Sequence, residues 1–577
     1  MKTLNMRIHF GFASSPNLAG REDACRKVVS LMEAFLEEAR KYNREDYGFS
    51  GAPIQCDLYS SDIFCSEEFQ QIAAAIGGTR NMIVSSYQPD LQDIQADARI
   101  GLDMKKGSLS YPNTVAEYVV NKSDAVFLLW DGNQNFREGI LWSVMQFCKL
   151  RSIPYYLINV EKMEEVSFSR DSYYVPYSEE RAADYVRSLF DHQERVQNQD
   201  PIPLMKLWAW LHDRFIRKYN LKARLVPYAE DKLLSENYFE ADDPRARNHA
   251  LLAEAFAYYD KKAIEASSLY RASIYFRSIL PMLTTIFIAV GFYAETVLSF
   301  LLGKPSILGM NFWVIVAGIG FLIHALLNRY ASKIADHPRV DSLRKDFVET
   351  RFIAEYLRIA IHSEAFGIQI ENAWMGSSVV DAGVLARLHH IIRQQEPVSF
   401  VQDARSTEEA IAHFEALIAD QKVYHENCIN RYELITQRLK KMAAALYMVG
   451  FVIVVGRGFL QFVIPFLPSF LNLSAEIHTV KIESFLKSFA NMLALVMPAW
   501  ASYFSSKLNM NGYEWLLKNS RNMKAGFEAA RMKLDDVKHQ KNSYQIISDV
   551  ANDIMVLTRK DYTGWYQRMG SQKFTRL

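Results

Sequence analysis

Residues 125–160 read AVFLLWDGNQNFREGILWSVMQFCKLRSIPYYLINV, and they decide the fold class of the N-terminal part of the chain. Residues 125–130 form a continuous apolar run, which is the pattern of a buried parallel strand. A polar turn follows, then a helix over 138–150 and a second strand over 155–160. This order is a βαβ unit. The sequence therefore predicts an α/β Rossmann-like domain with a doubly wound parallel sheet.

Strand and helix patterns also alternate upstream of this unit. Residues 7–12 are predicted to form a strand, residues 21–42 an amphipathic helix, and residues 55–59 and 82–86 two further strands. Ligands of such sheets bind beyond the carboxyl ends of the strands, where helix N-termini present free N–H groups. Two loops satisfy this condition, 11–20 with Arg21 and 131–139. The candidate ligand-binding residues are Gly11, Ser14, Ser15, Arg21, Asp131, Gly132, Asn133, Arg137, Glu138 and Gly139.

Neither loop carries a known phosphate-binding signature. The chain contains no G-x-x-x-x-G-K-[ST] motif, and neither loop contains G-x-G-x-x-G. A purely structural βα loop is also rich in Asp, Gly and Asn, so both interpretations stay open.

The C-terminal two thirds contain four apolar stretches, each close to the ~20 residues that cross a ~30 Å hydrocarbon core. They are residues 279–302, 309–327, 442–466 and 485–504. Lys and Arg flank their inner ends and are sparse in the two short connectors, so the positive-inside rule places both connectors outside. The sequence thus predicts a multi-pass protein of the inner membrane with a cytosolic N-terminal domain and C-terminus. The alternative is that the weaker of the two pairs is a buried helical hairpin of a soluble core. The doubtful span is 485–504, because Lys487, Asn491 and Pro498 interrupt it.

The two pairs of stretches resemble two copies of one unit, in which a polar helix, two spans and a charged helix follow one another. Aligning Tyr270 with Tyr432 places Glu295 of the first stretch opposite Arg457 of the third. A lone charge inside an apolar helix is costly. The two residues therefore either pair or line a pore, or else each snorkels separately to the outer surface.

Composition excludes several other classes of protein. The net charge of +1 argues against nucleic-acid binding, which needs a basic face. The five cysteines form no C-x-x-C pair, which fits a reducing cytosol and predicts neither disulfides nor a zinc site. We predict no metal, no resident cofactor and no catalytic residue.

Residues 116–160 resemble the last βαβ unit of the SLOG superfamily, whose members are Rossmann-like domains related to nucleotide hydrolases and TIR folds. The residues that match the SLOG pattern are Asp124, Trp130, Asp131, Gly132, Gly139 and Pro154. The chain departs from it at residues 137–140, which read REGI where the family often has Gly-Gly-Thr. It also departs at residues 11–15, which read GFASS where Gly-His-Arg is sometimes found. The resemblance implies the fold and a nucleotide-sensing role.

The helix–span–span–helix copies resemble the SLATT family of two-span effectors. The resemblance rests on the Y-R-x-x-x-x-x-R pattern that begins at Tyr270 and the R-x-x-x-E-x-x-R pattern from Arg351 to Arg358. The domains predicted are a SLOG-like domain over 1–195, a helical linker over 196–242, a first SLATT-like repeat over 243–366, a connector over 367–406, and a second repeat over 407–577.

Proteins that combine SLOG and SLATT parts act in prokaryotic antiviral defence, so the resemblance implies abortive infection through membrane damage. The sequence therefore predicts a homo-oligomeric effector in the lipid bilayer, gated by a cyclic nucleotide or an ADP-ribose derivative. The alternatives are a membrane-anchored nucleotide or NAD glycohydrolase that uses Glu138 or Asp131, and a membrane scaffold whose α/β domain binds protein.

Overall fold

The structure is a computed structural model of the 577-residue chain. The residues that it describes are 5–15, 18, 21–45, 49–64, 66–87, 95–132, 139–170, 175–190, 207, 209–210, 214, 226–227, 232–302, 306–307, 310–335, 338–368, 370, 382–463, 476–510, 512–537 and 543–571.

The N-terminal part contains an eight-stranded sheet, and the predicted α/β class with a parallel sheet is confirmed. The strand order is β10-β4-β3-β2-β1-β5-β6-β7, and all neighbours are parallel except the antiparallel pair β6 and β7. The strands of this sheet are β1 (Arg7–Ser14), β2 (Gln55–Ser61), β3 (Thr79–Ser85), β4 (Ala98–Leu102), β5 (Ala125–Trp130), β6 (Tyr155–Asn159), β7 (Val166–Ser169) and β10 (Phe400–Val401), while β8 (Ser306–Ile307) and β9 (Met310–Asn311) form a separate hairpin.

Helices cover both faces of the sheet. They are α1 (Glu22–Arg40), α2 (Ser66–Ile76), α3 (Tyr111–Asn121), α4 (Ile140–Arg151) and α5 (Glu179–Phe190). One apolar core lies between the sheet and α1, α2 and α5, and a second lies between the sheet and α3 and α4. Every residue of β5 except Trp130 is buried, as expected for a central parallel strand covered on both faces.

Strand β10 comes from a part of the chain far from the others. Its pairing with β4 joins Phe400 to Ile100 and Val401 to Gly101. The sheet therefore includes a strand from the 367–406 connector, which lies outside the predicted 1–195 domain.

The C-terminal part is mostly helical and repeats one arrangement. Its helices are α6 (Ala246–Leu302), α7 (Phe312–Ala335), α8 (Pro338–Ser363), α9 (Ala382–Arg393), α10 (Ala404–Val463), α11 (Glu476–Met510), α12 (Tyr513–Val537) and α13 (Ser543–Ser571). Long helix α6 packs against α7 and α8, and long helix α10 packs against α11 and α12. Helices α6, α8, α10, α12 and α13 share one continuous apolar core, so the two halves form one bundle.

Helix α10 changes character along its 60 residues. In its first half the buried side chains recur at helical spacing, as at Phe414, Leu417 and Ile418, and they pack in the bundle core. Beyond Met442 the large apolar side chains are exposed; Phe451 and Phe459 are 64% and 66% exposed. An apolar surface of this kind on a helix end outside the bundle core is typical of a membrane-facing segment.

The described residues contain one helix that is long and apolar enough to cross a membrane, and it is α10. The prediction of four such helices is thus supported for the third stretch alone. A shorter apolar helix, Val314–Leu327, lies in the second predicted stretch. The fourth stretch lies on α11, where Lys487, Asn491 and an internal Pro498 reduce the apolar character. Most side chains of the first stretch lie outside the described residues.

Candidate functional site

The sheet order creates a crevice between the carboxyl ends of β1 and β5. From β1 the chain continues through α1 to β2 on one side, whereas from β5 it continues through α4 to β6 on the other. Helices α1 and α4 lie on opposite faces of the sheet, so the two loops diverge at this point. Such a topological switch point is where open α/β sheets bind ligands.

The loop after β1 carries two buried serines and one partly exposed arginine beside this crevice. Ser14 ends β1 and Ser15 follows it; both residues are buried, and Ser15 N donates to Leu129 O over 3.0 Å. Arg21 precedes α1, and its Nη2 donates to Val160 O over 2.5 Å. The Arg21 side chain is 43% exposed, so a ligand in the crevice can still reach it.

The loop after β5 turns sharply at Gly132, which has φ +76°. A Cβ there would lie 3.0 Å from Glu161 Oε2, so only glycine fits without moving that carboxylate. Because Arg21 bonds the carbonyl of Val160 and Gly132 contacts Glu161, both predicted loops meet at the end of β6.

Gly139 is the N-cap residue of α4 and has an extended backbone with no side-chain cap. The first turn of α4 carries no acidic residue, in contrast to that of α1, which carries Glu22 and Asp23. The positive end of a helix macrodipole favours an anion at such a position. The predicted site residues Asn133, Arg137 and Glu138 lie outside the described residues.

Gly11 lies within β1 rather than in the loop that follows it. A Cβ at this position would approach Ser123 Oγ to 2.6 Å and Val119 Cγ1 to 2.9 Å, both on the α3 side of the sheet. The absence of a side chain at Gly11 is therefore required for the close packing of the sheet against this segment.

The residues around the crevice include the donors and acceptors that a sugar and a phosphate require. Asp131 and Glu161 offer carboxylate oxygens that accept from sugar hydroxyls, and Ser14 and Ser15 offer hydroxyl groups. Arg21 and the N-terminus of α4 favour a phosphate.

A second cluster of polar residues, not predicted from the sequence, lies at the opposite end of β1. Arg393 of α9 forms an ion pair with Asp124, and both side chains are 8% exposed. Asp124 Oδ2 also accepts from His9 N over 2.8 Å, and His9 Nε2 donates to Arg393 O. Burial lowers the pKa of His9, although Asp57 and Asp124 oppose this effect, so the ring is neutral near pH 7.

This cluster fixes the connector beneath the sheet. Arg7 N donates to Gln394 Oε1 over 3.1 Å, and Arg7 Nη1 pairs with the fully buried Asp57 over 2.9 Å. A sequence signal for the cluster is weak, because Arg393 looks like an ordinary basic residue in the last turn of a helix.

The R-x-x-x-E-x-x-R pattern forms a charge network inside the helical bundle. Arg351 Nη1 pairs with Asp260 of α6 over 2.9 Å, and Arg358 Nη1 pairs with Asp420 of α10 over 3.2 Å. Glu355 lies between the two guanidinium groups. Burial raises its pKa, but Arg351 and Arg358 outweigh burial and hold the pKa of Glu355 below its ordinary value. The network therefore connects both halves of the bundle.

A cavity of about 100 Å³ lies between the sheet and the bundle. Its walls include His9, Lys122, His249, Glu364 and Arg393, and Lys122 Nζ lies 2.5 Å from Glu364 Oε2. The charges that line it are thus largely paired with one another.

Arg457 is half-buried on α10, and the side chain of Glu295 lies outside the described residues. Their predicted pairing stays a prediction. Within the described residues, no group of three or more His, Cys, Asp or Glu side chains is arranged to hold a metal ion.

Comparison with models of protein families, with curated proteins and with solved structures found no match to this chain.

Proposed function

We propose that this chain is a ligand-gated membrane effector that senses a nucleotide-derived signal through its N-terminal domain. The observation that carries the proposal is the continuity of α10. This helix begins directly after a strand of the sheet, runs through the core of the bundle, and ends in an exposed apolar segment. A single rigid element thus connects the α/β domain to the part that can enter a bilayer.

The ligand is a cyclic nucleotide or an ADP-ribose derivative that binds at the β1–β5 crevice. Ser14, Ser15 and Asp131 would bind the ribose, and Arg21 would bind a phosphate. Binding opens the membrane part only if the ligand has a higher affinity for one arrangement of the helices. A ligand with equal affinity for both arrangements leaves the equilibrium between them unchanged. Arg137 and Glu138 are further candidates for contacts with the ligand.

In the membrane, four spans over 279–302, 309–327, 442–466 and 485–504 place both short connectors outside a prokaryotic inner membrane. Two spans per repeat cannot enclose an aqueous path, so several copies of the chain assemble around one. The resulting permeability depolarises the cell and stops a viral infection at the cost of the host cell. The SLOG and SLATT resemblances support this role.

The proposal is tested with purified protein in dye-loaded liposomes, to which cyclic nucleotides and ADP-ribose derivatives are added singly. Dye release and ligand consumption are measured in the same samples. We expect release with intact ligand, and we expect Arg21→Gln to shift the response to higher ligand concentration by at least tenfold. Arg26→Gln is the matched control, since Arg26 is an exposed residue of α1 outside the crevice.

The same experiment decides against the proposal if the ligand is consumed and no dye is released. That result favours the glycohydrolase, with Asp131 or Glu138 as its carboxylate. The absence of both release and consumption favours a scaffold.

A further inference from the structure

Strand β10 connects the α/β domain to helix α10. It has two residues, paired with β4, and Gln402 N donates to Gly101 O over 2.9 Å. One side chain on each side of it accepts a further hydrogen bond, from the backbone of β4 in one case and from the residue after β4 in the other. Arg99 N donates to Ser399 Oγ over 3.0 Å, and Asp103 N donates to Gln402 Oε1 over 2.9 Å.

The two residues of β10 each pack on a glycine, and these glycines belong to different parts of the molecule. Gly101 lies in β4, where a Cβ would approach Val401 Cγ1 to 3.2 Å. Gly367 follows α8 in the bundle with φ +63°, and a Cβ there would overlap the ring of Phe400. A contact of this closeness on both sides fixes the position of β10 relative to the sheet and to the bundle.

The segment before β10 connects it to the ligand crevice. Arg393 and Gln394 contact Asp124, at the start of β5, and Arg7, at the start of β1. These two strands form the crevice at their other ends. A shift of β1 relative to β5 therefore reaches Arg393 directly, and the chain passes from there to β10 within seven residues.

The segment after β10 connects it to the bilayer. Helix α10 begins at Ala404, and Asp403 Oδ1 accepts from Ser406 N over 2.8 Å, which caps the first turn. At 1.5 Å per residue, 60 residues span about 90 Å. A displacement of its first turn is carried along the helix toward the apolar end.

We propose that Ser399, Phe400, Val401 and Gln402 form a latch that holds α10 in its resting position until the crevice is occupied. This inference rests on the proposed function and specifies its regulation. An edge strand held by so few hydrogen bonds, with Val401 40% exposed, can open without unfolding either domain. The latched and released forms are the two states between which a ligand in the crevice selects.

The latch is tested by changes that open it without a ligand. Gly101→Val places a side chain against Val401, and Ser399→Ala with Gln402→Ala removes the two flanking hydrogen bonds. Gly107→Val is the matched control, because a Cβ at Gly107 has no neighbour within 4 Å among the described residues. Hydrogen–deuterium exchange over residues 98–103 and 404–412 of the full-length protein in detergent measures release of β10.

We expect at least tenfold faster exchange in both latch variants and no change in Gly107→Val. We also expect both latch variants to release dye from liposomes without added nucleotide, at several times the wild-type rate. Exchange equal to that of wild type in both latch variants would overturn the inference.

A disulfide supplies the opposite test. A Cβ at position 101 would lie 3.5 Å from Val401 Cα, so Gly101→Cys with Val401→Cys brings two thiols within bonding reach. In the oxidised form we expect slow exchange over 404–412 and no dye release when nucleotide is added. Reduction of the disulfide should restore faster exchange and nucleotide-dependent dye release.

The proposed function and the latch can fail separately. If no variant and no nucleotide releases dye, the membrane output is wrong, while hydrogen exchange still decides whether the latch exists. If the oxidised disulfide form responds to a nucleotide as strongly as the reduced form, the effector functions without the latch, and the inference is rejected.

Discussion

At the scale of single residues, the contact that most clearly joins two parts of the molecule is the buried pair of Asp124 and Arg393. The two residues are 269 positions apart, and each is the counter-charge of the other in a nearly water-free site. Desolvating a charge is expensive unless a partner compensates it. The pair therefore makes docking of the connector a condition for a stable N-terminal domain.

Replacing Arg393 by Met should reduce the free energy of unfolding by about 3–5 kcal/mol, because Asp124 is left buried without its counter-charge. Chemical denaturation of the purified protein in detergent, followed by circular dichroism, measures this loss. Arg405→Ala is the control, since the side chain of Arg405 is 88% exposed and its removal should cost less than about 0.5 kcal/mol. Equal stability of the two variants would contradict the role given to the pair.

Buried histidines predict how stability depends on pH. Burial lowers the pKa of His413 and of His425 to about 4. His249 and Arg245 lower the pKa of His413 further, whereas at His425 Glu355 opposes the effect of burial and Arg351 and Arg358 add to it. In the unfolded chain a histidine has a pKa of about 6.5, so on acidification the unfolded state takes up protons before the folded state does. Each of these histidines should therefore lower the free energy of unfolding by about 1.4 kcal/mol per pH unit as the pH falls from about 6 towards 4.

The double variant His413→Gln, His425→Gln should show a shallower loss of stability between pH 6 and pH 5 than the wild type. Denaturation curves at pH 9, 8, 6 and 5 measure the difference. Between pH 9 and pH 8 both proteins should show the same pH slope, because the histidines are neutral in the folded and the unfolded state. Parallel slopes between pH 6 and pH 5 would show that the two rings are not the groups that titrate.

At the scale of elements, helix α10 must pack closely against α11 where the predicted third and fourth spans meet. A Cβ at Gly450 would lie 3.5 Å from Met497 Cβ and 3.6 Å from Pro498 Cγ, so a methyl group fits and a larger side chain does not. Tyr447 and Ser502 share a hydrogen bond of 3.1 Å across the same contact. The glycine sets the distance between the two helices.

Gly450→Leu should therefore separate α10 from α11 and destabilise the protein by about 1–3 kcal/mol, the usual cost of overpacking. Gly456→Leu is the matched control on the same helix, since a Cβ at Gly456 has no neighbour within 4 Å among the described residues. Thermal unfolding in detergent should show a lower midpoint for the first variant alone. A lower midpoint in both variants would point to helix α10 itself and not to its contact with α11.

At the scale of the whole molecule, the α/β domain is made from two separate pieces of chain. The connector adds β10 to the sheet beside β4, and its Arg393 supplies the counter-charge of the buried Asp124. An exposed strand edge also favours aggregation. The α/β domain and the helical part are thus not independent units linked by a tether.

A protein of residues 1–195 should accordingly lack a cooperative thermal transition and should aggregate. Fusing residues 382–403 to its C-terminus through a flexible linker should restore a monomer and a sharp transition, which size-exclusion chromatography and calorimetry measure. The same fusion with Arg393→Met is the control and should behave like the shorter protein. A monomeric, cooperatively folding 1–195 protein would show that the domain is complete without the connector.

The strands that the sequence predicts best are the central ones. A run such as residues 125–130 must be apolar on both faces, and this requirement leaves a clear local pattern. Strands at or next to the edges of the sheet need no such pattern, so β4, which contains Arg99, and the edge strands β7 and β10 were not predicted. The loops after β1 and β5 were predicted as the ligand site because the connection order of a βαβ sheet determines where its crevice lies.

The sequence by itself determined the fold class of the N-terminal part, the location of its crevice and the helical nature of the rest. These features depend on periodicity and apolar runs, which are local properties. Only the tertiary structure decided that the connector completes the sheet, that Arg393 neutralises Asp124, and that one helix connects the sheet to an exposed apolar end. These contacts join residues hundreds of positions apart, and each partner alone is an ordinary charge, glycine or short strand whose effect arises when folding brings it against the other.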